Sequence, residues 1–453
     1  MQAMRIFCMV LAATFAVMPA LAASDNMDFS ALDKTIREEL KITNTPGCAV
    51  AIVSGNEIVY AKGFGVADIE TGQPVAPDTL FRVGSTSKVF TAITLVSLAE
   101  EGKMDLSKPI GYYIPNLSTN LSKVTASQLL SHTAGFKDAA PSYGLHDESE
   151  LARCMLSLND SILFAEPGEV FSYSNIGFGM VGYLVEKIGK KTYADQIDER
   201  IFRPLGMNRT TFKPTLAMTY PLSQGHSVNA NGTSVVRPYS DNAGFWPSGF
   251  VFSSVNDMAH LAIALMNNGS LEGRQVISPK VIEEMSKPRA EMASAYENGS
   301  YGYGLMIYDR LGQKVVGHDG AIEGFTSNFM MVPEHKFALI ILANADDRHF
   351  PNSTEKAFRL MLPLKEKAAP VPPTVNQSET AGYVGNYSGI KVLEKEGKLF
   401  MSAGVEVPLV QTAKDRFDMI LPGSTSSQLI GFIRDRKGEV KYLSFGLRSL
   451  KKT

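Results

Sequence analysis

The apolar residues of this chain fall into stretches with different periods. Residues 47–53 and 57–63 are short β-rich apolar runs on either side of Ser54-Gly55-Asn56, a spacing that predicts a β-hairpin. From Ser85 to about Glu100 the period becomes helical, with Val89, Ala92, Ile93, Val96 and Ala99 on one face and Gly102 as the stop. Residues 106–288 are mostly helical in pattern, with many Gly and Pro breaks. Strands return at 314–317, 326–332 and 337–343, the last two joined by a Pro333-Glu334-His335-Lys336 turn. Strands at both ends with helices between them predict an α+β arrangement: one sheet assembled from the two ends of the chain, with a helical insert. Such a domain, placed at 23–364, cannot be cut in the middle.

Beyond it the pattern changes twice. Residues 365–380 contain Ala-Ala-Pro-Val-Pro-Pro and predict an extended linker. Residues 381–453 alternate short apolar runs with Gly, Asn and charged turns and show no helical period. They predict a small antiparallel β-domain, a barrel or sandwich. At the other end, Arg5, an apolar run over residues 6–17, Pro19 and Ala20-Leu21-Ala22-Ala23 have the layout of a cleavable signal peptide over 1–22. The run is shorter than the roughly 20 residues that a membrane-spanning helix needs. The expectation is therefore a secreted or periplasmic protein with no stable membrane insertion after cleavage.

The 453 residues are 44% hydrophobic and 20% charged, enough apolar material for a large core, and the formal net charge of −2 offers no footprint for nucleic acid. After signal cleavage two cysteines remain, Cys48 and Cys154, with no spacing that specifies a bridge, and two thiols are the default. The seven histidines show no H-E-x-x-H or other tight ligand spacing, so no metal and no cofactor are expected. No G-x-S-x-G occurs, which removes the nucleophile elbow of the α/β-hydrolases.

Three short motifs carry chemistry. In Gly84-Ser85-Thr86-Ser87-Lys88, the serine stands at or just inside a helix start, where free N–H groups favour negative charge, and Lys88 follows one turn later on the same face. Burial of that helix would desolvate the lysine and lower its pKa toward that of a base. Ser353–Lys356, Ser388–Lys391 and Ser449–Lys452 share the spacing, but none of them opens a patterned helix behind a glycine. Tyr173-Ser174-Asn175 places a phenol and an amide two apart in an extended segment, so both can face one cleft. His318-Asp319-Gly320-Ala321 ends a candidate strand. There Gly320 permits close backbone approach, and the next N–H can serve as a second oxyanion donor opposite that of Ser85.

In order and separation, Ser85-x-x-Lys88, Tyr173-x-Asn175 and His318-x-Gly320 resemble the signature of the class C β-lactamase and D,D-peptidase superfamily. Pro46-Gly47-Cys48-Ala49-Val50, residues 129–135 (Leu-Leu-Ser-His-Thr-Ala-Gly), Pro204-Leu205-Gly206-Met207 and Pro247-Ser248-Gly249-Phe250 are similar to that family too. The resemblance covers about residues 30–360. It implies a β-lactamase/transpeptidase-like antiparallel sheet flanked by helices with a helical subdomain. It further implies that Ser85 forms an acyl-enzyme, with Lys88 and Tyr173 moving its proton as a coupled pair. Asn175 would contact a substrate amide, and the N–H groups of Ser85 and Ala321 would form the oxyanion hole.

His318 departs from the lysine usual in the family's β-lactamases and carboxypeptidases. Members with His there resemble esterases, D-amino-acid amidases and peptidases, some with a lipocalin-like C-terminal domain, to which Tyr383-x-Gly385-x-Tyr387 bears a likeness. The expected substrate is a small molecule or short peptide, an amide or ester of D-amino acids. A β-lactam or D-Ala-D-Ala substrate is the alternative, and a non-catalytic peptidoglycan or peptide receptor a second one. With an unperturbed pKa near ~6.5, His318 is expected to gain charge as pH falls toward 6 and so to bind carboxylates better there. His132 is expected to pack rather than to catalyse.

Overall fold

A computed structural model describes residues 27–364 and 377–453, apart from positions 139, 297, 347 and 403 and the segment 421–426. The signal-peptide reading and most of the linker reading lie outside the described residues; Gln377–Gly382, at the linker's end, forms a 3-10 turn.

Eight antiparallel strands build the main sheet in the order Glu57–Gly65, Gly47–Ser54, Phe337–Ala343, Phe325–Val332, Gln313–Ile322, Met306–Arg310, Ser300–Tyr301 and Ala290–Glu291. The first and last parts of the domain meet where Gly47–Ser54 pairs with Phe337–Ala343, Cys48 opposite Ala343 and Ser54 opposite Phe337. These two strands read as unbroken apolar runs because both of their faces are covered. Ala49, Ala51 and Val53 point into the larger core with Ala338, Ile340 and Leu342, whereas Cys48, Val50 and Ile52 point into the other with Leu339 and Ile341. The helix Val255–Met266 and the helical subdomain complete the larger core. The helices Ser30–Thr43 and Pro351–Met361 cover the opposite face. The strand expected at 314–317 runs on to Ile322, so His318 and Gly320 lie inside it rather than past its end. The two-residue edge strands are too short to show a period and were not foreseen. Cys48 and Cys154 both carry free thiols.

The two flanking helices are tied to each other by one buried carboxylate. Glu39, 4% exposed, accepts the N–H groups of Asn352 (2.7 Å) and Ser353 (2.8 Å) at the start of Pro351–Met361, and the Ser353 hydroxyl donates to it as well. Helix starts leave such N–H groups without partners, and an anion there is favoured by the helix dipole.

The C-terminal domain is a second eight-stranded antiparallel sheet in chain order, from Gly385–Tyr387 to Arg448–Lys451. A bridge between Tyr387 and Lys452 and a bond from the Thr453 N–H to the Asn386 carbonyl (2.8 Å) bring its first and last strands together, so the sheet is a nearly closed barrel around Tyr387, Val392, Leu399, Phe417, Ile430 and Phe432.

Replacing Glu39 with Ala strands buried donors and is expected to lower stability by about 1–3 kcal/mol, with ester hydrolysis at 25 °C unchanged. Urea unfolding followed beside an activity assay checks both. Unchanged stability would show that the cap contributes nothing.

Candidate active site

The serine turn owes its shape to Gly84. Its φ of +49° lies in the left-handed region, and a side chain there would stand 2.7 Å from the Ala321 nitrogen. Glycine removes both conflicts. Gly84–Thr86 then closes one 3-10 turn that leads into the helix Ser87–Glu100, so half-buried Ser85 precedes the α-helix rather than opening it. The Thr86 hydroxyl donates to the His318 carbonyl (3.0 Å) and meets the Ser327 hydroxyl (2.8 Å), which reaches the Val83 carbonyl (2.7 Å). The turn is thereby fastened to two strands of the main sheet.

The helix was expected to bury one face; it is buried on all sides from Ser87 to Val96, and Lys88 has no exposure. The Lys88 amine meets Asn175 Oδ1 at 2.7 Å, the Ser248 carbonyl oxygen at 2.5 Å and Ser85 Oγ at 3.2 Å, and it lies 4.7 Å from the centre of the Tyr173 ring. The first two neighbours can only accept. An ammonium would donate to all three; a neutral amine donates to the two carbonyls and leaves its lone pair facing the Ser85 hydroxyl. Burial pushes the Lys88 pKa well below that of an ordinary lysine, Asp138 opposes that shift, and Arg448 adds to it.

Tyr173 is 4% exposed and packs against the His132 ring at 4.2 Å. Burial raises its pKa, and nearby Ser85 and Arg448 offset part of that rise. Its hydroxyl is buried without a well-formed hydrogen bond, and Ser85 is the neighbour close enough to lower its pKa. His132 has a packing role: it accepts the Ser174 N–H on Nδ1 (3.1 Å) and packs in tilted contact with the rings of Tyr173, Phe178 and Tyr301. Asn175 begins the helix Asn175–Gly189, capped by the Ser174 hydroxyl. Both its backbone N–H (2.8 Å) and its side-chain Nδ2 (3.0 Å) donate to Asp138.

At Gly320 a side chain would lie 2.1 Å from the Val83 carbonyl oxygen and 2.9 Å from the Ser85 nitrogen. That close approach sets Ser85 and Ala321 side by side across Gly84 and Gly320. All seven residues singled out from the motifs thus lie together in one cluster.

The profile of the Beta-lactamase family matches residues 32–360, most of the chain. The chain belongs to the Beta-lactamase family. It is similar to Protein flp of Staphylococcus aureus (strain N315), 24% identical over 330 residues that cover 72% of this chain; the chain spans 64% of that relative's length. Among solved structures, that of SurE shares the fold with a TM-score of 0.77 at 23% identity, covering 94% of this chain and 99% of that one. The D-amino acid amidase from Ochrobactrum anthropi SV3, complexed with L-phenylalanine, aligns with a TM-score of 0.63 at 22% identity, covering 73% and 98%.

His318 requires a correction. It is 2% exposed, and burial, with Lys88 nearby, pushes its pKa down to about 3. Its Nδ1 faces the Asp319 carbonyl (2.6 Å), which only accepts, so Nδ1 carries the proton, and Nε2 accepts the Tyr301 hydroxyl (2.9 Å). The ring is therefore neutral throughout the range in which it was expected to gain charge.

Motif reasoning also missed Asp138 and Arg448. Asp138 follows the Ser-His-Thr-Ala-Gly turn by three residues, which gave a faint signal. Arg448 lies in the last hairpin of the β-domain and gave none. Yet its guanidinium pairs with Asp138 and lies 5.1 Å from the Tyr173 ring centre.

Affinity for a carboxylate-bearing substrate is accordingly expected to be flat between pH 5.5 and 8, read as KM or inhibition constants; a rise toward pH 6 would restore the charged histidine. Stability carries the opposite signature. Folded His318 refuses a proton that the unfolded chain accepts below its ordinary value of 6.5, so stability is full above that value and declines as pH falls toward about 3. His318→Gln is expected to make that decline shallower between pH 6.5 and 4.5 in urea titrations, and an unaltered slope would contradict the assignment.

Proposed function

We propose that this protein is an exported hydrolase that forms an acyl-enzyme on Ser85 and cleaves an amide or ester of small D-amino-acid peptides or esters. The observation that carries the reading is the Lys88 amine, buried and held by two carbonyl acceptors so that its remaining valence faces Ser85 Oγ. In this reading Ser85 Oγ attacks the substrate carbonyl carbon and Lys88 takes its proton. The oxyanion is met by the N–H groups of Ser85 and Ala321. The Tyr173 hydroxyl gives a proton to the leaving nitrogen or oxygen and is reprotonated from Lys88, and water then releases the acyl group by the reverse path. Asn175 would contact the substrate amide, and Gly320 permits the close backbone approach that sets the two N–H groups side by side.

The structural neighbour that acts on D-amino acid amides, the amidase of Ochrobactrum anthropi, supports the choice of substrate class. So does neutral His318, which offers no cation to the carboxylate of a β-lactam or of a D-Ala-D-Ala terminus. Export rests on the pattern of residues 1–22.

Ser85→Ala is expected to lower turnover of a nitrophenyl ester, and of any D-amino-acid amide accepted, by on the order of 10⁴-fold or more. More than a few per cent residual activity in folded protein would refute the nucleophile. Labelling of the wild type, but not of Ser85→Ala, by an active-serine phosphonate separates an enzyme from a receptor.

Tyr173→Phe removes a buried hydroxyl that has no partner, so the melting temperature is expected to hold or rise while acylation slows. Because Lys88 and Tyr173 would move one proton between them, Lys88→Ala combined with Tyr173→Phe should lose much less than the product of the single losses. Multiplicative losses would mean that they act independently.

A further inference from the structure

The C-terminal barrel reaches into the cleft through one hairpin, Val440–Phe445 and Arg448–Lys451. Its Leu447 carbonyl accepts the Tyr173 N–H at 2.8 Å, the Ser449 hydroxyl donates to the Phe171 carbonyl at 2.7 Å, and the Ser449 N–H reaches the Ser172 hydroxyl at 3.3 Å. The hairpin thus holds the extended segment that carries Tyr173. Between its bonds stands Arg448, 40% exposed at the side chain, paired with Asp138, which is 8% exposed.

We propose that Asp138, held between the Asn175 amide and Arg448 of the C-terminal barrel, is a positioning residue that aims the Lys88 amine at Ser85. The barrel is then a working part of the active site. This inference rests on the reading of Lys88 as the base. An ionised carboxylate accepts and never donates, so the amide that faces Asp138 must present its NH₂ group, and Oδ1 must turn to the other side. On that side lies Lys88 Nζ, 2.7 Å away. With Oδ1 and the Ser248 carbonyl both demanding protons from the amine, its lone pair is left for the Ser85 hydroxyl. An Asn175 amide turned the other way would offer Lys88 a donor and pull the lone pair off line. Arg448 pairs with Asp138 and holds its carboxylate in place against the Asn175 amide.

The other titratable groups around Lys88 are His132, Tyr173, Tyr301 and His318. Burial lowers both histidines and raises both tyrosines, which keeps all four neutral at neutral pH. Asp138 and Arg448 remain as the charges acting on the amine, with opposite signs.

The test compares pH profiles of kcat/KM for a neutral nitrophenyl ester, from pH 5 to 9.5, in full-length wild type, Asp138→Asn, Arg448→Gln, Arg448→Lys and Arg416→Gln. Arg416 pairs with Glu291 in another contact between barrel and main domain, and neither Asp138 nor Lys88 is among its ion-pair or hydrogen-bond partners. Asp138→Asn is expected to lower the plateau by about 100-fold, the scale of a misaimed catalytic group, and to move the acid limb to lower pH. Arg448→Gln should move that limb to higher pH by about one pH unit. Arg448→Lys should largely restore it, and Arg416→Gln should match wild type. Shifts of one sign in both Asp138→Asn and Arg448→Gln, wild-type profiles in both, or an equal effect of Arg416→Gln would each overturn the proposal. Should Asp138→Asn fail to fold, the two Arg448 variants decide alone. Lys88→Met separates the levels. If it keeps the wild-type acid limb, the base assignment itself fails; if it is inert while the Asp138 and Arg448 variants behave as wild type, only the positioning role fails.

Discussion

The cleft is organised around keeping one lysine amine out of water while giving it two acceptors that it must satisfy. A buried ammonium is costly, so Lys88 is driven toward its neutral form, and a neutral amine with two donor hydrogens already committed has a single direction left. That direction is Ser85 Oγ. The arrangement needs a helix buried on every side around Lys88, a carbonyl from the Trp246–Gly249 turn and an amide from the start of the helix Asn175–Gly189, each within hydrogen-bond reach of the same nitrogen. Gly84 and Gly320 serve the same end from the opposite side, because backbone can approach backbone there only where no side chain intervenes.

Two different parts of the chain keep this geometry in register. Within the main domain, the Thr86 and Ser327 hydroxyls fasten the serine turn to the central strands, and those strands are closed by pairing between the beginning and the end of the domain. From outside it, the last hairpin of the barrel bonds to the Tyr173 N–H and the Phe171 carbonyl and places Arg448 against both the Tyr173 ring and Asp138. A domain separated by a Pro-rich stretch therefore contacts the segment that carries the cleft's phenol.

In the proposed function, the position of His318 bears on selectivity. A lysine at this place on the strand would be a standing cation; the histidine, fixed as the neutral Nδ1–H tautomer by the Asp319 carbonyl and the Tyr301 hydroxyl, is a polar wall instead. The exposed cation beside the cleft comes from Arg448, and its charge is largely answered by Asp138.

Periodicity alone foretold the hairpin at 47–63, the helix after Ser85, the returning strands and the all-β end, because burial imposes a period of two on strands and 3.6 on helices and that demand is written locally. Motif spacing likewise marked Ser85, Lys88, Tyr173, Asn175, His318, Gly320 and Ala321, since a turn, an extended pair and a close approach each require particular residue types. Three things had no local signature. The charge state of His318 depends on how much water reaches it. The all-round burial of the Ser87–Glu100 helix depends on the helices Asn175–Gly189, Trp246–Gly249 and Pro279–Met285, all far from it in sequence. The joining of Asp138 to Arg448 spans 310 residues, and only the docking of the barrel brings the two together. Residue type and spacing set which groups can do chemistry. Their protonation and aim follow from desolvation and from partners distant in sequence, and those exist only in the folded chain.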